Sequence, residues 1–358
     1  MGATVATRVT RGAAGRRRRV AAMLAAVVTV AAGVYVVSRL GDASGGGPVG
    51  SDRSVGSATP SELLVLQVVG TDDPLLALVG ARVDDRSPAF FSIPFDLSLT
   101  LPGQGDVVAP EVAGLGSETV RIAVSNTFGA WAEHVAVLDL EGLADVVDRT
   151  GGLRVRVPGL YVTDAGNLGP GIERLSGEQV VTLLQLEVEG GEARWASVVQ
   201  ALLQRPVRLD QEDLAESDGL TGVRRVLRGA RGAAVAAFPT TSVAGSVTVP
   251  LQPDLDQAVA RRFGFGTPVP VIVQNGSGAP GLGQDVAAVL LPLGFRVVIS
   301  QNANEFGYER TRVIANSDGA LADARAIRRA LGVGRVGVSQ VPSGLGDITI
   351  IVGEDFTG

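Results

Sequence analysis

Few residues in this 358-residue chain are equipped for chemistry. There is no Cys, so disulfides, thiolate metal sites and a cysteine nucleophile are all excluded. One histidine exists, His134, lying between Glu133 and the apolar run 135–138. It is the single candidate for a histidine metal site or a Ser-His-Asp triad, and a structural or surface role suits it better. The most regular motif is Gly276-Ser277-Gly278-Ala279-Pro280-Gly281, formally Gly-x-Gly-x-x-Gly, placed after a strand candidate at 269–273. A dinucleotide site also needs an acid at the end of the next strand to hold ribose hydroxyls. That strand, 295–300, runs instead into Gln301-Asn302-Ala303-Asn304. The glycines therefore read as a tight turn feeding a helix, and no nucleotide cofactor is expected.

Charge narrows the partners. All 31 basic residues are Arg, and seven of them fall within residues 1–40, which carry no acid. The remaining 24 Arg face all 37 Asp and Glu. A body this acidic repels a phosphate backbone, so nucleic acid is not an expected partner.

The elements that must position any site follow from hydropathy. Arg16, Arg17, Arg18 and Arg19 precede an uncharged apolar stretch at 20–37. At about 1.5 Å per residue it covers about 27 Å, close to the hydrocarbon thickness of a bilayer. The reading is a basic cytoplasmic tail at 1–19 and an uncleaved single-pass anchor at 20–38, with everything beyond on the outer side by the positive-inside rule. A cleavable signal is the competing reading, although no small-x-small site follows the apolar run. Residues 39–62 have the Gly, Ser and Pro composition of a flexible linker. Short apolar runs at 63–69, 75–83, 89–93 and 135–140 are predicted strands, and 141–150 is a predicted helix stopped by Gly151-Gly152. Ser176 and Gln179 have capping-box spacing and predict a second helix start. The alternation places an α/β fold, a mixed sheet with flanking helices, over 63–265. A second unit at 268–356, ordered strand, helix, strand, strand, helix, strand, predicts a small split βαβ sandwich.

Several segments resemble the LytR-CpsA-Psr family, membrane-anchored proteins that move glycopolymers from a polyprenyl pyrophosphate carrier onto the cell wall. Residues 134–158 are similar to the family's strand, helix, double glycine and strand, and Leu175-Ser176-Gly177-Glu178-Gln179 to its Leu-x-Gly-Glu-Gln helix start. Ser92-Ile93-Pro94-Phe95-Asp96 resembles its Ser-Ile-Pro-Arg-Asp signature, with Phe95 in place of the arginine. The second unit, from Val269-Pro270-Val271 through Asn275-Gly276-Ser277-Gly278 to Asp347-Ile348-Thr349, looks like the LytR C-terminal domain.

The resemblance implies a site. Asp72 or Asp73 matches an acid after the first strand, and Asp96 matches the signature aspartate; such carboxylates would hold a magnesium ion beside the pyrophosphate. Arg121 and Arg194 match basic positions, so Asp96, Arg121 and Arg194 are the candidate catalytic residues. The family's Arg-x-Arg strand end is here Gln185-Leu186-Glu187, and the partner of Arg194 on its helix is Ser197. Guanidinium grips phosphate through a planar fork, each charge-assisted bond contributing about 1.5–3 kcal/mol, and a phenyl ring offers none. The expectation is a cell-envelope protein that serves wall assembly by binding polyprenyl-linked glycan or peptidoglycan rather than by catalysis. The alternative is an active phosphotransferase using magnesium. Leu183, Leu184, Leu186, Val198, Val199, Leu202 and Leu203 suit either a lipid-tunnel lining or ordinary core.

Overall fold

A computed structural model describes residues 60–243, 247–339 and 344–358. The expected tail, anchor and nearly all of the linker lie outside the described residues. Among the described residues no helix is long and apolar enough to cross a membrane.

The first sheet has six strands. Leu63–Val68 lies at its middle, paired antiparallel with Leu75–Gly80 on one side and parallel with His134–Leu138 on the other. Ala89–Ile93 continues the sheet antiparallel to Leu75–Gly80, and the two-residue strands Glu216–Ser217 and Ala234–Val235 form its edges. The central strand is buried at every position, Gln67 included, and is otherwise wholly apolar. Alternate side chains therefore feed two cores. Leu64, Leu66, Val68, Ala77 and Phe90 face the helices Leu140–Arg149, Gly177–Leu184, Gly191–Leu203 and Leu220–Gly229. Leu63, Val65, Leu76, Leu78 and Phe91 face the helices Ser117–Phe128 and Gln252–Phe263.

Local signals act as the sequence indicates. Asp139 accepts from Gly142 N at 2.7 Å and opens the helix Leu140–Arg149. At the next helix Ser176 Oγ accepts from Gln179 N at 3.3 Å while Gln179 Oε1 accepts from Ser176 N at 3.0 Å, the reciprocal arrangement predicted from the spacing.

Residues 269–352 form a five-stranded sheet ordered Phe295–Asn302, Val269–Asn275, Ile348–Val352, Arg312–Ala315, Arg335–Val338. Its helices, Leu282–Leu290 and Leu321–Leu331, bury Val286, Leu290, Ala324 and Ile327 in the same core that underlies Leu63 and Phe91. The two parts thus share one apolar interior. The strand order differs from the expected four by the edge strand Arg335–Val338, which pairs parallel with Arg312–Ala315. It is mostly exposed and short, so it carries neither an apolar run nor a clean alternation to announce it.

Candidate functional site

The strand Ala89–Ile93 delivers the signature fragment to one end of the six-stranded sheet. Ser92 and Ile93 are still in the strand and buried, with the Ser92 hydroxyl unpartnered. Beyond Pro94 the chain turns, Leu97 N donating to Pro94 O at 3.1 Å. Phe95 stands outward, 46% exposed. Asp96 is half-buried and fixed to a distant hairpin, since Thr248 donates both its hydroxyl to Asp96 Oδ2 at 2.8 Å and its amide to Asp96 O at 2.9 Å.

Because Leu63–Val68 runs in the same direction as Ala89–Ile93, the turn after it lies at that same sheet end. It carries Asp72 and Asp73, both exposed, with Thr71 Oγ1 donating to Asp73 O at 2.7 Å. Among the described residues no three His, Asp or Glu side chains gather to hold a metal ion, so Asp72, Asp73 and Asp96 do not make a ligand set. Two of them solvate a surface turn, and the third already accepts from Thr248. Magnesium is often held by one or two carboxylates completed by substrate phosphates, but that arrangement also needs cations around the phosphates.

The cations are committed elsewhere. Arg194 belongs to the first turn of Gly191–Leu203 and is 1% exposed. Its guanidinium donates to three backbone carbonyls of the preceding loop, Nη1 to Glu189 O at 2.9 Å, Nη2 to Leu186 O at 2.8 Å and Nη2 to Val188 O at 3.1 Å. The Tyr161 ring lies 6.0 Å away. Glu192, in the first turn of the same helix and not indicated by the sequence, has its carboxyl pushed above the ordinary range by partial burial and then by the charge of Asp96. No ion pair to Asp72, Asp73, Asp96 or Glu192 occurs among the described residues. This end of the sheet carries Asp72, Asp73, Asp96 and Glu192, while the guanidinium of Arg194 is held inside the fold.

Arg121 stands at the opposite end. It pairs with Glu118 and, at 3.1 Å, with Asp218, and stacks 4.8 Å from the centroid of Trp131. Asp218 in turn accepts from Val135 N at the start of the strand His134–Leu138. Five residues of strand at about 3.3 Å each separate that end from Asp96, about 16 Å. The candidate catalytic residues Asp96, Arg121 and Arg194 are therefore not brought together. Spacing along the chain could not reveal this, since it does not say which end of a sheet a helix residue reaches.

His134 joins the same starting end, its Nε2 2.9 Å from Glu62 Oε1 and its Nδ1 3.6 Å from Asp218 Oδ1. Arg225 also binds Glu62, donating Nε to Oε2 at 2.8 Å, and holds the Glu62 carboxyl below its usual range. No hydroxyl is bonded to His134 among the described residues; its two ring nitrogens face the carboxylates of Glu62 and Asp218.

The residues suited to a lipid lining are packed as core: Leu183, Leu184, Val198, Val199, Leu202 and Leu203 are buried and Leu186 packs against them. Leu66, Leu138, Leu202, Leu203 and Leu227 border a wholly apolar void of about 20 Å³, the space of about one water.

With this geometry in place, the chain can be set beside known proteins. Residues 268–356 match the LytR_C family, described as LytR cell envelope-related transcriptional attenuator. Beyond that segment the chain is similar in fold to solved LytR-CpsA-Psr structures. The crystal structure of B. subtilis TagV is similar with a TM-score of 0.48 and 16% identity, over 56% of this chain and 94% of that one. The family protein YwtF (TagT) with bound octaprenyl pyrophosphate lipid gives 0.47 and 16%, over 62% and 98%. A LytR-Csp2A-Psr enzyme from Actinomyces oris gives 0.44 and 19%, over 57% and 90%. No curated protein matches the sequence.

Proposed function

We propose that this chain is a membrane-anchored, extracytoplasmic cell-envelope protein of the LytR-CpsA-Psr type that serves wall assembly by binding lipid-linked glycan or wall partners, without transferring polymer. The observation that carries the reading is the fate of the cations. Phe95 occupies the signature arginine position in solvent, and Arg194 spends both Nη groups on Leu186, Val188 and Glu189. Among the described residues the carboxylates of Asp72, Asp73, Asp96 and Glu192 have no neutralising ion pair, where a pyrophosphate would add further negative charge. Leaving a desolvated charge without partners costs several kcal/mol each, enough to suppress a transfer step.

The anchor rests on Arg16 to Arg19 ahead of the apolar stretch 20–37, which places the acidic body outside. Acidity also disfavours direct contact with DNA, despite the attenuator description of the C-terminal family. The test is incubation of the full chain with a polyprenyl pyrophosphate-linked glycan, magnesium and peptidoglycan, reading released polyprenyl phosphate. No release above the protein-free rate is expected. Release that saturates with donor would replace this reading with an active phosphotransferase.

A further inference from the structure

In the C-terminal sheet the strand Val269–Asn275 sits between two parallel neighbours, Phe295–Asn302 and Ile348–Val352. The carboxyl ends of these three parallel strands, and the loops that leave Val269–Asn275 and Phe295–Asn302, therefore meet at one end of the sheet. The residues there are unusual for an exposed loop. Phe306 is 58% exposed and its ring lies against Gly278, where an added Cβ would meet it at 3.4 Å. Tyr308 lies against Gly276, donating its amide to Gly276 O at 3.1 Å and carrying Arg312 5.0 Å from its ring centroid. Two aromatic rings thus stand over a loop kept thin by glycine.

Uncharged amides line the same place. Asn302 is the register partner of Asn275, which puts both side chains on one face of the sheet. Asn275 Oδ1 accepts from Gly278 N at 2.8 Å, so that face is the one on which Phe306 lies. Asn302 and Asn304 are exposed, and their side chains make no hydrogen bond among the described residues. The loop at 301–312 balances Glu305 and Glu309 with Arg310 and Arg312, which favours neither anion nor cation.

We propose that this loop surface binds a neutral N-acetylated amino-sugar chain. The apolar face of a pyranose fits an exposed phenyl ring, and an acetamido group needs the paired donor and acceptor that a free Asn amide supplies. The inference rests on the binding role proposed above and assigns it a place.

The test uses the full chain in detergent and titrates it with chitohexaose, with a glucose hexamer as control. Saturable binding of chitohexaose is expected, weakened about tenfold in Phe306→Ala, the scale of truncating one aromatic anchor, and retained in Phe306→Trp. The control sugar should bind more weakly by a similar factor. Binding unchanged in both Phe306→Ala and Asn302→Ala, or no saturation by the unaltered chain, overturns the proposal. Capture of polyprenyl-linked glycan separates the two claims. If that capture persists while chitohexaose never binds, the loop-surface assignment alone falls; if both are absent, the binding role falls with it.

Discussion

Asn126 and Val297 exchange two hydrogen bonds, the side-chain Nδ2 donating to Val297 O at 2.9 Å and Val297 N donating to Oδ1 at 2.8 Å. The amide of one helix residue thereby imitates a strand and closes the free edge of the C-terminal sheet. Beside it Arg296, itself buried, donates Nε to Asn126 O at 3.0 Å and pairs with Asp256 at 2.6 Å. A sheet edge of the kind that recruits other chains is thus spent on the first part of the molecule, and the two parts are joined by buried polar groups as well as by common apolar packing.

Replacing Asn126 by Ala leaves Val297 N and O buried without partners and also removes the bond to Thr100 O at 3.1 Å. A loss of about 2–4 kcal/mol is expected, the sum of unsatisfied groups less relaxation. Denaturant unfolding of the two variants side by side measures it. A change below about 0.5 kcal/mol would show the interface to be ornamental.

Arg194 separates a structural guanidinium from a ligand-binding one. Arg194→Lys keeps the charge but has no planar fork to serve Leu186, Val188 and Glu189 together, so it should lose about 1–3 kcal/mol of stability. If the residue instead served an anionic ligand, Lys would preserve stability and change only pyrophosphate affinity, which a parallel titration reads.

Asp106 gives a pH signature. Burial pushes its carboxyl above the ordinary 3.8, partly opposed by the hydroxyl of Thr100, which donates to Oδ1 at 2.8 Å. The folded state therefore disfavours the charged form, and at neutral pH that preference subtracts from stability. Asp106→Asn, which keeps an acceptor for Thr100, should melt higher than the native chain at neutral pH. The advantage should shrink as pH falls through the raised value and vanish below the ordinary one. A constant offset across that range would refute the assignment. Glu62 acts in the opposite sense: its carboxyl is held low by Arg225, so its contribution is present above about 4.5 and is lost as pH falls further.

What the sequence determined by itself is whatever depends on neighbours a few positions away. The apolar runs became the strands Leu63–Val68, Leu75–Gly80 and Ala89–Ile93, and the Ser176 and Gln179 cap formed as spaced. Phe95 denies a cation at its position in any fold, because a phenyl ring has no donor. Tertiary structure alone decided where the remaining charges went. Asp96 met Thr248 across 152 positions, Arg121 was drawn to Asp218 at the far end of the sheet, and Arg194 was folded onto its own loop. The physical reason is that a guanidinium satisfies whichever carbonyls and carboxylates the packed core brings within about 3 Å, and that choice is made only after distant segments have met.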